Sequence, residues 1–320
     1  MKEKIKITII QDTPPHFDLP SCMQKVEQRM AEAAAQGADL VVFGETWLSG
    51  YPAWLDYCPK VGLWDHEPTK QAFSRMYRNG VKVPSDEVEQ LGKWAKKYQQ
   101  VLVIGINEVV SRGVGNRTIY NAFLIFDSDG TLLNHHRKLM PTFTEKLLYG
   151  LGDGQGLKSV ETSIGRIGAL ICWEHWMPLT RMAMHESGEL IHIALWPNVH
   201  EILQIASRSY AFEGRCFVVA VGQTMQAKDV PEMLELPDEL KEQPEHFLLK
   251  GNSCVIAPNG KYILEPQEKT QGILYCELDQ LDRIYGESMA LDVTGHYNRG
   301  DVFEFGVNRE RKSREDGTQI

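Results

Sequence analysis

Short apolar runs with β character alternate along this chain with stretches whose apolar residues recur every three or four positions. Lys4–Ile10 reads as a strand. Ser21–Gln36 has helical spacing and stops at Gly37, a residue suited to a helix terminus. Asp39–Gly44 is a β run halted by Glu45, Glu87–Gln99 is helical, and Val101–Val110 is again β. From Asn121 to Leu133 the pattern is strand, Asp-Ser-Asp-Gly turn, strand.

The second half repeats these ingredients. Arg166–Cys172 is a near-continuous apolar run, as expected of a strand covered on both faces. Pro178–Glu186 suits a helix opened by proline, Leu190–Trp196 a strand, Glu201–Arg215 a helix and Cys216–Gln223 a strand. Asn252–Leu264 is a second hairpin, turning at Pro258-Asn259-Gly260. The hairpins resemble each other, which fits two similar αβ halves facing each other; two unrelated hairpins with common turn chemistry would look the same. Two segments break the rhythm. Residues 47–64 gather Trp47, Tyr51, Trp54, Tyr57 and Trp64, and Lys228–Glu245 is acidic and proline-interrupted, as expected of a surface insertion or lid.

Composition narrows the class. With 320 residues, 42% of them hydrophobic, the chain can bury a large core; length alone suggests two domains, though α/β chains of this size are often one. A net charge of −9 leaves no basic surplus for phosphates or anionic lipid, so neither nucleic acid nor membrane is an expected partner. No apolar run approaches the ~20 residues that span a bilayer. The cysteines at 22, 58, 172, 216, 254 and 276 form no CxxC pair, a reduced pattern that leads us to expect a cytoplasmic protein.

Several motifs fail on inspection. The glycines of 150–156 form neither GxGxxG nor GxxxxGK[ST], and His185-Glu186 lacks the second histidine of HExxH. His192 and His200 could ligate a metal, but His192 lies in an apolar run and reads better as a core histidine. No metal and no cofactor is therefore expected. Three other segments put reactive groups where apolar runs end: Glu45 after Val41-Val42-Phe43-Gly44, Lys138 after the first hairpin, and Cys172 after Leu170-Ile171. Singly, each reads as packing or as a solvated loop. Jointly they are a thiol, a carboxylate able to take its proton, and an ammonium able to stabilise developing negative charge.

These segments resemble the signatures of the nitrilase superfamily. Phe43-Gly44-Glu45-Thr46-Trp47 with Gly50-Tyr51-Pro52 is similar to the first, His136-Arg137-Lys138-Leu139-Met140-Pro141-Thr142 to the second, and Gly165 through Cys172-Trp173-Glu174 to Leu179 to the third. Thr144-Glu145, Tyr149–Gly154 and Gly295-His296-Tyr297-Asn298-Arg299 extend the resemblance over residues 5–305, and Trp173-Glu174 after the cysteine favours the nitrilase branch. The resemblance implies an α/β fold, a four-layer αββα sandwich, as a single domain over 1–305; the charge-rich residues 306–320 read as a flexible tail. It implies Glu45 as base, Lys138 as charge stabiliser, Cys172 as nucleophile and Glu145 beside them. Glu174 and His175 read as structural. Tyr51, Trp54, Tyr57, Trp173, Trp196 and His296 are the expected substrate-binding residues. Leu195-Trp196-Pro197 replaces a smaller family segment and is expected to narrow the pocket. The implied activity is hydrolysis of a small-molecule nitrile by a homo-oligomer, a dimer or a larger, spiral assembly. The alternatives are an amidase or carbamoyl hydrolase with the same triad, a non-catalytic assembly protein on the same fold, and a metal-dependent hydrolase.

Overall fold

The computed structural model describes residues 4–113, 115–279 and 281–311. Its strands are β1 (Ile5–Gln11), β2 (Leu40–Phe43), β3 (Val101–Val109), β4 (Ile119–Phe126), β5 (Leu132–Arg137), β6 (Val160–Thr162), β7 (Gly165–Ile171), β8 (Ile191–Leu195), β9 (Phe217–Val221), β10 (Thr224–Gln226), β11 (Phe247–Ile256), β12 (Tyr262–Glu268) and β13 (Gly272–Leu278). One sheet has the order β13-β1-β2-β3-β4-β5; the other runs β10-β11-β9-β8-β7-β6, with β12 also on β11.

The two sheets share a plan. β1, β2 and β3 are parallel neighbours, then β4 and β5 return as antiparallel hairpin strands. β7, β8 and β9 are likewise parallel, followed by antiparallel β11 and β12. The two similar hairpins of the sequence thus occupy matching places in two matching halves.

The period-two geometry of strands sorts the core. Leu40 and Val42 of β2 join Ile167, Ala169, Ile193 and Val219 in the layer between the sheets. Val41 and Phe43 face the other way and meet Val26, Met30, Leu91 and Trp94 from helices Leu19–Ala35 and Asp86–Tyr98. Helices Pro178–Glu186 and Glu201–Gly214 cover the second sheet through Met184, Leu203, Ala206 and Tyr210. The result is the expected αββα sandwich.

Helix ends follow local chemistry. Asp18 caps Leu19–Ala35 by accepting from Ser21 N–H at 3.1 Å, and Ser85 caps Asp86–Tyr98 by accepting from Val88 N–H at 3.4 Å. Helix Glu67–Arg78 has no counterpart in the sequence reading. Segment 228–245 does not stand free as a lid. Leu234 and Leu236 are buried in a satellite cluster with Trp54, Leu55 and Met76, while its charged residues stay outside. In the tail, Arg309 Nε donates to Leu157 O at 3.0 Å and Arg311 ion-pairs with Asp153 at 3.4 Å; residues 312–320 lie outside the described residues. No helix among the described residues is long and apolar enough to cross a membrane.

Candidate active site

Parallel strands of an α/β layer present their carboxyl ends to one rim. Glu45 lies two residues past β2, Lys138 directly follows β5, and Cys172 directly follows β7. The rim brings them together. Lys138 Nζ donates to Glu45 Oε1 at 2.9 Å and to the Glu145 oxygens at 3.0 and 2.7 Å. Single ligand atoms of Glu45, Glu145 and Cys172 lie within 4.8 Å of one another.

Each group is held by named partners. Asn121 Nδ2 donates to Glu45 Oε1 at 2.6 Å, and Gln223 Nε2 holds the Glu45 backbone carbonyl at 2.7 Å. Glu145 Oε2 accepts from Thr142 N–H at 2.8 Å and Glu145 Oε1 from Tyr51 OH at 2.8 Å. Among the described residues Glu45 Oε2 has no hydrogen-bond partner, which leaves one carboxylate oxygen able to accept a proton.

Burial dominates the electrostatics. It raises the Glu45 pKa to about 7; Glu145 adds to the rise and Lys138 opposes it. Burial, then the Glu45 charge, pushes the Cys172 thiol well above its ordinary range, against Lys138 and the Trp173 N–H. Burial alone would lower Lys138, but the combined charges of Cys172, Glu45 and Glu145 outweigh it and hold the ammonium. The resting cysteine is therefore a thiol that needs a base, and Glu45, within 4.8 Å of it, is poised near neutrality. Glu45, Glu145 and Cys172 also have the donor types of a cation site. The cation bonded to both carboxylates is the Lys138 ammonium itself.

The chain turns sharply at the thiol. Cys172 has φ +53°, a left-handed conformation costing a non-glycine residue of order 1–2 kcal/mol, and it opens the 3-10 turn Cys172–Trp176. Glu174 is the brace. Its buried carboxylate accepts from Ile171 N–H at 2.8 Å, Leu139 N–H at 2.8 Å and His136 Nε2 at 2.9 Å, tying the cysteine turn to the segment carrying Lys138. Burial would raise the Glu174 pKa, but His136 and these N–H donors outweigh it and keep it low.

A cavity of about 640 Å³ opens onto Cys172 and Glu145. Of the expected substrate-binding residues, Tyr51, Tyr57 and Trp173 line it; Trp54, Trp196 and His296 do not. Trp54 is fully buried among Phe17, Leu55 and Met76, because so large an apolar surface gains most from complete burial. Trp196 does not line the cavity: it is stacked on His175 at 4.6 Å with Nε1 donating to Ser207 Oγ at 3.2 Å, and of the segment Leu195-Trp196-Pro197 it is Pro197 that meets the pocket. His296 is 84% exposed and pairs with Asp292 at 3.6 Å.

Other lining residues escaped the sequence reading: Phe143 and Thr144 before Glu145, Asn198 and His200 after β8, and Leu248 and Leu249 of β11. Gln223 and Asn121 carried a usable signal, a polar amide at the end or start of an apolar run. Leu248 and Leu249 carried none, because ordinary strand leucines become pocket wall only through pairing. His192, read as a core histidine, is buried and bonded at 2.8 Å to Glu189.

A family model described as carbon-nitrogen hydrolase matches residues 6–284. An aliphatic nitrilase of Sinorhizobium fredii (strain HH103) is 36% identical over 310 residues, 97% of each chain. The bifunctional nitrilase/nitrile hydratase NIT4A of Lupinus angustifolius is 34% identical over 306 residues, 95% of this chain and 86% of that one. Among solved structures, Saccharomyces cerevisiae Nit3, a member of branch 10 of the nitrilase superfamily, superposes with a TM-score of 0.68 at 22% identity, covering 93% of this chain and 98% of its own. The chain is an enzyme of the carbon-nitrogen hydrolase family, a member of the nitrilase superfamily.

Proposed function

We propose that this enzyme hydrolyses an organic nitrile to a carboxylic acid and ammonia through a covalent intermediate on Cys172. The observation that carries the reading is the convergence of the Cys172 thiol, which lines the cavity, with the Glu45 carboxylate, one of whose oxygens has no partner among the described residues, and the Lys138 ammonium bonded to it. Glu45 takes the thiol proton as sulfur attacks the nitrile carbon. The carbon–nitrogen triple bond loses one bond, and nitrogen receives that proton to give a thioimidate. Lys138 and the Trp173 N–H stabilise the charge that gathers on nitrogen. Water, deprotonated by Glu45, adds to the thioimidate; ammonia leaves with the returned proton, and a thioester remains. A second water hydrolyses it, releasing the acid and restoring the thiol. If sulfur leaves the tetrahedral species before ammonia does, the product is the amide. The name of the lupin relative, bifunctional nitrilase/nitrile hydratase, favours that second outlet.

Tyr51, Tyr57 and Trp173 supply an aromatic wall for the nitrile's organic group. Glu145 holds Lys138 and Tyr51 in place. The reading extends to a homo-oligomer. Leu179, Ile202, Ile205 and Phe212 stand exposed on the helix layer over the second sheet, apolar surface suited to a second copy; light scattering at micromolar concentration tests it.

Ammonia release from a nitrile panel, with acid and amide quantified, tests the chemistry. Cys172→Ala is expected to abolish release. Full activity in that variant, or turnover confined to matched amides, would overturn the reading.

A further inference from the structure

Behind Cys172 lies a buried polar chain that the steps above do not use. His175 Nδ1 donates to Cys172 O at 2.7 Å. His175 Nε2 lies 3.0 Å from His192 Nε2, and His192 Nδ1 lies 2.8 Å from Glu189 Oε2. Tyr210 OH donates to the other Glu189 oxygen. Both rings are clamped by stacking, His175 on Trp196 at 4.6 Å and His192 on Tyr210 at 3.8 Å.

Donor counting sets the tautomers. A carbonyl only accepts, so His175 must carry its proton on Nδ1. The carboxylate accepts likewise, so His192 Nδ1 carries one too. With its proton on Nδ1, His175 turns an unprotonated Nε2 toward His192 Nε2 at 3.0 Å, and burial favours that neutral ring. His175 is thereby left with only one way to present itself: Nδ1–H toward the cysteine.

The grip matters because of what shares its peptide unit. The Cys172 carbonyl and the Trp173 N–H belong to one plane and point in opposite directions. Holding the oxygen from the buried side aims the N–H at the thiol side, where it acts on Cys172 sulfur. The grip also braces a residue held at φ +53°.

We infer that His175 is a positioning residue that aims the Trp173 N–H by clamping the Cys172 carbonyl, and that His192 and Glu189 serve it by fixing its tautomer. The inference rests on Cys172 being the nucleophile.

Asparagine can test it, because its Nδ2 occupies the place of His Nδ1 and donates without needing a tautomer partner. His175→Leu is expected to lower kcat on a nitrile by about 10- to 100-fold with KM within about 3-fold, and to slow iodoacetamide alkylation of Cys172. His175→Asn should recover kcat to within about 5-fold of wild type. His192→Phe, which keeps the stack on Tyr210, should lower kcat by itself yet add nothing in the His175→Asn background. Wild-type kcat in His175→Leu overturns the inference. So does His175→Asn as impaired as His175→Leu at equal melting temperature, or a His192→Phe loss that is undiminished when combined with His175→Asn. If His175→Leu does not fold, the His192→Phe and His175→Asn cycle decides alone. If the wild type turns over no nitrile, the functional reading fails, while the alkylation rates still test the clamp.

Discussion

Glu45 is asked to hold a proton and to give it up at the same pH. Its pKa of about 7, set by burial and then by Glu145 against Lys138, suits both. As the base it must be ionised, so kcat/KM is expected to be full above pH 7 and to fall as pH drops through about 7. A pH profile checks this; an acid limb near the ordinary carboxylate range would contradict it. A raised pKa also means that ionised Glu45 works against folding, with its contribution to stability present below the ordinary value and lost as pH rises through about 7. Glu45→Gln should thus lose more than about 100-fold in turnover while melting no lower than wild type at pH 8. Calorimetry beside an ammonia assay separates the two effects. Glu174 behaves oppositely. Its carboxylate satisfies Ile171 N–H, Leu139 N–H and His136, and Glu174→Gln would set an NH₂ against one of those donors. The expected cost is about 3 kcal/mol in a urea melt, with activity lost alongside.

At the scale of elements, strand ends do the assembling. β2, β5 and β7 end within two residues of Glu45, Lys138 and Cys172. That much was legible in the chain, because an apolar run and its polar terminator are neighbours in sequence. Gly105, in the middle of β3, shows what was not. A Cβ there would overlap Gly44 O and Thr46 N, so the glycine lets the Glu45 loop cross the strand. Gly105→Ala is expected to destabilise by about 1–3 kcal/mol and to cut activity at least about 10-fold, since the loop that must move carries the base. Gly62→Ala, with open space around it, is the control and should do neither. Comparison of urea midpoints and kcat in the two variants checks this.

The whole molecule stores its acid sensitivity in buried carboxylates such as Glu108 and Glu189. Burial would raise Glu108, but His135 and Arg137 outweigh it and hold its pKa at about 2. Glu189 is likewise held at about 2, with His192 and His185 outweighing burial. A depressed carboxylate contributes stability above its ordinary value and loses it as pH falls toward the folded value. Melting temperature should therefore fall steeply between about pH 4.5 and pH 2, and less steeply in Glu108→Gln; a flat profile there would refute the assignment.

What the sequence determined by itself is everything carried by near neighbours: the alternation of strand and helix, the matching hairpins, and the residues that terminate apolar runs, Glu45, Lys138 and Cys172 among them. Backbone geometry repeats over two or three and a half residues, so these features need no distant partner. Tertiary structure alone decided which aromatic side chains meet the cavity. Trp54 and Trp196 turned into core and Tyr51 and Tyr57 into wall, and Leu248 and Leu249 reached the site from far along the chain. Those outcomes depend on which strands pair and which face each side chain takes, and such choices are settled by contacts between residues far apart in sequence.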